Sequence, residues 1–304
     1  MNVEDLLRET LAELADEERP PHPERFLRSL PPPRTHRRGV ALAAAAAVVV
    51  LAAGGTVAVR TLSEPDRPAP PAATRAATRP QPRPDRVVIK EGTRLADVLA
   101  RLAHATGRPL AAFAQAARDG RALGLPAYAK GRLEGFAYPG TYEYTTATTP
   151  TELLAAMVAR FRTESAKLGL DARPAPLDVV IIASLVQAES PSKADMPKVA
   201  RVIRNRLDRG MYLQLDCTVM YGLGKYGIQA TVKDVKARTP YNTYRHRGLP
   251  PGPILAPGTA ALKAALHPAK GSWLYFVAVD PKTGALEYAT TQAEYEDLVK
   301  RYKG

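Results

Sequence analysis

The chain has 304 residues, 45% of them hydrophobic, which suffices for one or two packed domains and excludes disorder along the whole length. One cysteine and five histidines exclude a disulfide scaffold and supply no HExxH or CxxC spacing for a dedicated metal centre. The formal charge is +13, and the 28 prolines cluster, so each segment has a composition of its own.

Residues 1–38 carry seven Arg against eight Asp plus Glu, and Val3, Leu6, Leu7, Leu11 and Leu14 recur at helical spacing until Pro20, Pro21 and Pro23 interrupt them. Such a helix either docks a cytosolic partner or is a short solvated one. Residues 39–59 (GVALAAAAAVVVLAAGGTVAV) run 21 positions without a charge, which at about 1.5 Å per residue crosses a hydrocarbon core of about 30 Å. One transmembrane helix is predicted there. Arg34, Arg37 and Arg38 precede it, so the positive-inside rule places the N-terminus in the cytoplasm and everything after Arg60 outside the plasma membrane. A cleaved signal peptide is the competing reading, but its apolar stretch is shorter and its basic leader is normally much shorter than this one. Residues 60–86 hold seven prolines and no aromatic, the composition of an extended linker.

Residues 87–304 carry 30 Lys plus Arg against 19 Asp plus Glu. The positive charge therefore falls on the exported part, where anionic wall polymer or lipid headgroups are the plausible partners and nucleic acid is not. Lys198, Arg201 and Arg204 recur on one predicted helix and either meet such a polyanion or form a solvated face. Within residues 87–133, a strand at Val87 to Ile89, a turn at Glu91 and Gly92, and helices at Leu95 to Leu102 and Pro109 to Arg118 resemble a LysM-like glycan-binding module. The plain alternative is a packing platform for the larger domain C-terminal to it.

Residues 134–304 read as a mixed helical domain with a small antiparallel sheet. Helices are predicted from Pro150 to Leu168, Asp178 to Ser190, Asp195 to Arg209 and Thr259 to His267. An irregular region rich in Gly, Pro and Tyr precedes the last of these. Trp273 to Val279, the turn DPKTG and Leu286 to Ala289 form a hairpin signature, and a final helix begins at Thr291. The fold class is α+β.

The helix DVVIIASLVQAES carries the candidate chemistry. Val179, Val180, Ile181, Ile182, Leu185 and Val186 make it apolar nearly all round, so it is buried, and Glu189 shares a face with Leu185 and Val186. Glu189 also lies in the last turn before Pro191, where the negative end of the helix dipole opposes its charge. Burial and dipole both raise its pKa and favour a protonated carboxyl, as a general acid requires. The alternative is a glutamate that escapes to solvent at a frayed end. Downstream, Gln214, Asp216 and Tyr221 lead to Tyr241, Asn242, Thr243 and Tyr244, and then to GLPPGPI with Pro250 and Gly252. Proline fixes φ and glycine permits close approach, so that loop is rigid. The Tyr and Asn beside it offer flat faces and paired donors and acceptors suited to sugar rings. These nine residues are the candidate substrate-binding set.

The blocks LEGFAYPGTYEY, ASLVQAES, NRLDRGMYLQLDCTVMYGLG, TPYNTYRHRGLPPGPI and HPAKGSWLYFVAV together resemble the endolytic murein transglycosylases, the YceG-like family. The resemblance runs from Leu133 to Val279 in one order, and its catalytic glutamate falls on Glu189. It implies cleavage of nascent peptidoglycan strands between MurNAc and GlcNAc outside the membrane. It also implies 1,6-anhydro-MurNAc ends, termination of glycan elongation, no metal or cofactor, and proximity to penicillin-binding synthases. Gln187, Cys217, Gly140 and the pair Glu294 and Tyr295 depart from the family pattern, and Thr291 with Glu294 reads instead as a helix-capping box. Two alternatives remain: a hydrolytic muramidase using Glu189 and Asp216 as a carboxylate pair, and a noncatalytic wall-binding septal scaffold.

Overall fold

The computed structural model describes residues 84–227, 230–280 and 283–303. The predicted cytoplasmic segment, the predicted transmembrane helix and nearly all of the proline-rich linker lie outside these residues. Among the described residues, no helix is long and apolar enough to cross a membrane.

The architecture is α+β, with helices around two small antiparallel sheets. Strand β1 (Asp85–Ile89) leads into α1 (Leu95–Thr106) and α2 (Leu110–Ala116), and β2 (Gly140–Tyr144) follows after a turn-rich stretch. β1 and β2 pair antiparallel, with Val87 opposite Tyr142. The strand that opens the segment predicted to be LysM-like thus finds its partner beyond residue 133. The core agrees, because Val87, Leu102 and Phe113 belong to the same apolar cluster as Phe161, Ile182 and Leu262.

Helix α3 (Pro150–Lys167) starts where its sequence says it should. Thr149 accepts from the Glu152 N–H and Glu152 reaches back to the Thr149 N–H, a closed capping box, with Pro150 at the first helical position. The central helix α4 (Pro176–Glu189) buries every residue from Val179 to Val186. Each large aliphatic among them contributes about 1.5–3 kcal/mol by leaving water. It is covered by α5 (Met196–Asp208) and α8 (Thr259–Leu266).

Between α5 and α8, the stretch expected to be irregular contains two short helices, α6 (Asp216–Gly222) and α7 (Val232–Val235). The predicted hairpin forms as β3 (Tyr275–Ala278) and β4 (Leu286–Ala289), and α9 (Gln292–Lys303) closes the described chain. Glu294 accepts from the Thr290 and Thr291 N–H groups, and its own N–H donates to Thr291 Oγ1, so it is the capping residue its spacing suggests.

The rigid loop is bolted to α4. The Ile254 N–H donates to Ser184 Oγ at 3.2 Å and the Gly258 N–H to Gln187 Oε1 at 3.0 Å, which gives Gln187 a definite task. On its other side lies Gly135, at φ +85°, where an added Cβ would stand 2.5 Å from Pro253. Gly140 is likewise without room, because the Arg160 guanidinium occupies the space a side chain would take and lies over Tyr138 and Tyr142. Left-handed backbone and a close contact both oppose a side chain at position 135. Gly135→Ala is therefore expected to cost about 2 kcal/mol or more in urea unfolding; an unchanged midpoint would show that this contact does not hold the loop.

Candidate active site

Glu189 closes α4, and Ser190 leaves the helix in extended conformation, its N–H still bonded to Val186 O at 3.0 Å. The carboxyl faces the first turn of α6, where Cys217 meets it with both thiol and backbone N–H. Burial raises the Glu189 pKa; the Cys217 donors pull it down, the Asp216 charge pushes it up, and Arg206 pulls it down again. The net direction is upward, toward a protonated acid. The Cys217 thiol is itself pushed up by burial and by the facing glutamate, so it stays protonated as a donor. Beside the acid, Ser190 Oγ is buried without a hydrogen-bond partner among the described residues.

Asp216 is held in place on two sides. Its Oδ1 accepts from the Tyr244 hydroxyl at 2.5 Å and its Oδ2 from the Ala230 N–H at 3.1 Å. Tyr244 is oriented in turn by Asn242 Oδ1, which accepts its N–H at 3.0 Å. The Asn242 amide is spent on Val235 O and Ala237 O, so this fully buried side chain acts as a brace. Thr243 is also buried. Its Oγ1 accepts the Leu215 N–H and lies 2.9 Å from Thr218 Oγ1, while its carbonyl accepts the Gln214 N–H. Those bonds hold Gln214 at φ +49°, a left-handed conformation rare for a residue with a side chain and frequent at functional sites.

Tyr221 sits one turn after Cys217 on the same face of α6 and packs on Tyr241 with ring centroids 4.8 Å apart. Pro250 and Gly252 are buried in the loop beside them, where a Cβ on Gly252 would lie 3.3 Å from the Tyr241 hydroxyl. The candidate binding residues thus fall along α6: Gln214, Asp216, Asn242, Thr243 and Tyr244 around its start, and Tyr221, Tyr241 and Gly252 at its end, with Pro250 buried two residues before Gly252 in the loop.

Sequence reasoning misses two charged residues here. Arg206 is buried, donating from Nε to Leu274 O at 2.6 Å and from Nη1 to Leu213 O at 2.7 Å, with Tyr275 under its guanidinium. Burial lowers its pKa, and the phenols of Tyr275, Tyr244 and Tyr295 and the Glu189 carboxyl surround it. Its position on the apolar stripe of Met196, Val199 and Ile203 is the available signal. The second is Glu134, whose two oxygens accept the Leu95 N–H at 3.0 and 3.2 Å while Tyr221 donates to Oε2 at 3.0 Å. It closes the start of α1 from a distant part of the chain, which no local pattern encodes. The basic stripe also changes character: Lys198 lies over Trp273 and Tyr288, and Arg201 donates to Ala269 O. A cavity of about 290 Å³ opens at the opposite end of α4, lined by Arg173, Asp178 and Arg204 among others, and shares no residue with the Glu189 group.

A part-buried carboxyl whose acid form is favoured, one oriented carboxylate beside it and an aromatic margin define a site of the acid–base type. Residues 66–301 match the model of the YceG-like family, and the chain belongs to that family. Over 174 residues it is 36% identical to the endolytic murein transglycosylase of Bacillus subtilis (strain 168), a match covering 56% of this chain and 48% of that protein. Over 182 residues it is 33% identical to the endolytic murein transglycosylase of Streptococcus pneumoniae serotype 2, covering 57% of this chain and 33% of that one. The chain therefore spans about half or less of the length of these curated relatives. The crystal structure of a YceG-like protein from Listeria monocytogenes superposes with a TM-score of 0.64 at 30% identity, covering 71% of this chain and 76% of that one.

Burial raises the Glu134 pKa from an ordinary 4.5 to about 7, against the opposing pull of the Leu95 N–H, Tyr221, Arg94 and the Gly135 N–H. Between those values the folded chain holds this proton more tightly than the unfolded one, so stability falls as pH rises through the window. Glu134→Gln is expected to flatten that decline when urea midpoints of parent and variant are compared from about pH 4 to about pH 8. A variant that keeps the full slope would place the titration elsewhere.

Proposed function

We propose that the chain is an endolytic lytic transglycosylase acting on peptidoglycan glycan strands, with Glu189 as acid and then base. The carrying observation is the single carboxyl at the end of α4, part-buried against Cys217 and raised in pKa chiefly by burial. In the first step its proton passes to the glycosidic oxygen as the bond from C1 to that oxygen breaks. The C6 hydroxyl of the same muramyl ring then bonds to C1, and the Glu189 carboxylate takes the hydroxyl proton. The product carries a 1,6-anhydro ring, no water is consumed, and the glutamate ends protonated as it began. One carboxyl is enough for this sequence, whereas hydrolysis of a glycoside ordinarily uses two.

Asp216 is the reason to weigh a hydrolytic muramidase. Both of its oxygens accept protein hydrogen bonds, which suits a fixed charge that keeps Glu189 protonated better than a nucleophile or a base for water. The family relation and the names of the relatives favour transglycosylation over a noncatalytic septal scaffold. The rest of the reading comes from sequence: a single-pass anchor at residues 39–59 with the active domain outside the plasma membrane, a LysM-like stretch contributing to glycan binding, and lateral contact with penicillin-binding synthases. Its support is the uncharged run and the arginines before it, the strand–helix–helix order, and the position of such an enzyme in wall synthesis.

Glu189→Gln is expected to lower cleavage of nascent, uncrosslinked glycan by about 10²–10⁴-fold. Mass spectrometry of the parent's products is expected to give anhydro ends; ends that have gained water would transfer the chemistry to the muramidase reading. Because the working form is the protonated acid, the rate is expected to fall as pH rises through the raised Glu189 pKa. A rate that keeps climbing through neutral and alkaline pH would contradict the acid role.

A further inference from the structure

Beyond the Glu189 pocket, the far end of α6 continues into a row of rings and guanidinium groups that nothing in the proposed chemistry uses. The Arg94 guanidinium lies 4.7 Å from the ring centroid of Tyr226 and 5.5 Å from that of Tyr221. Tyr221 in turn packs on Tyr241, and Arg132 lies beyond it, donating to Pro251 O at 3.2 Å and reaching the Tyr241 hydroxyl. The row alternates flat apolar faces with cations.

Its outer member is the informative one. Tyr226 is 62% exposed, yet it is pinned: its hydroxyl donates to Asp97 Oδ1 at 2.7 Å and Arg94 covers the ring. Arg94 is pinned as well, through Nη1 to Lys225 O at 2.6 Å, and the Glu134 carboxyl also lies within reach of its charge. An exposed tyrosine ordinarily loses rotamer freedom when it binds something; one already fixed does not. An aromatic face held in solvent beside a fixed cation is matched to a sugar ring that bears a carboxylate. The ring offers C–H groups to the tyrosine, and the carboxylate meets the guanidinium fork.

The row also lies where a long polymer would run. Tyr221 is one helical turn, about 5.4 Å, from Cys217, which touches Glu189. A strand extended away from the reacting bond along α6 reaches Tyr221 and Tyr241 first, then Arg94 and Tyr226.

We propose that Arg94 and Tyr226, supported by Asp97 and continuous with Tyr221, form an outer binding station for a carboxylate-bearing saccharide unit of the same strand. This rests on the reading of the chain as a glycan-strand enzyme, and makes the strand span the joint between α1 and α6. The station is thus a determinant of preference for long strands whose muramyl lactyl groups are free carboxylates.

The test is binding without turnover, using the full-length chain carrying Glu189→Gln in detergent, titrated calorimetrically with soluble uncrosslinked oligosaccharides of two lengths. The longer oligomer is offered both with its stem peptides and with them removed. Tyr226→Ala is expected to weaken the longer oligomer about tenfold, with a smaller loss for the shorter one, and Tyr226→Phe to retain most of the affinity. Arg94→Gln is expected to erase a preference for the peptide-free form, whose lactyl carboxylates are no longer held as amides. Binding of the parent that is insensitive to both Tyr226→Ala and Arg94→Gln overturns the outer station and leaves the Glu189 chemistry standing. A parent that binds no oligosaccharide at all overturns both. An equal loss for both lengths assigns Tyr226 a general structural role and also overturns the station. Thermal unfolding of each variant, matched to the parent, establishes that the fold is intact.

Discussion

The described chain is arranged around a carboxyl group that is largely withdrawn from water. Keeping an ionised glutamate in such a place is costly, so the group responds by holding its proton. Around Glu189 the opposing influences are balanced rather than one-sided. Cys217 and Arg206 favour the anion, Asp216 and burial favour the acid, and burial is the largest of them. A group so balanced can give up a proton and recover it, which a chemistry with one carboxyl demands.

The scaffold explains why the balance is stable. Helix α4 is buried from Val179 to Val186, which anchors the last turn that carries Glu189. Opposite it, the start of α6 is fixed by Thr243, Asn242 and Tyr244, which spend their polar atoms on the backbone and on Asp216. The strained Gln214 backbone is the local cost of that arrangement. Cys217 belongs to the same arrangement: a proline there would present neither the thiol nor the N–H that now faces Glu189.

The two glutamates along α6 have different work. Glu189 faces its first turn, whereas Glu134 joins its last turn, through Tyr221, to the first N–H of α1. Glu134 therefore ties α1 to the helix that carries the site. With the shared apolar core and the pairing of β1 with β2, this makes the N-terminal helices part of the site's framework.

Periodicity and end signals were enough to place the long helices and the hairpin, because their apolar stripes, capping residues and turn residues are local. The same holds for Glu189: a polar residue on the buried face of an all-round apolar helix is visible as a conflict within one segment. The short helices α6 and α7 were hidden, since two turns or fewer give little periodic signal and α6 has no side-chain cap. So were Arg206 and Glu134, whose partners lie 68 and 39 residues away in the chain. Sequence by itself determined which segments fold as the long helices and which glutamate conflicts with its surroundings, because both depend on neighbours within a few residues. Only the tertiary structure decided what faces that glutamate and which second carboxyl is buried, because burial and charge act through space between segments that the sequence keeps apart.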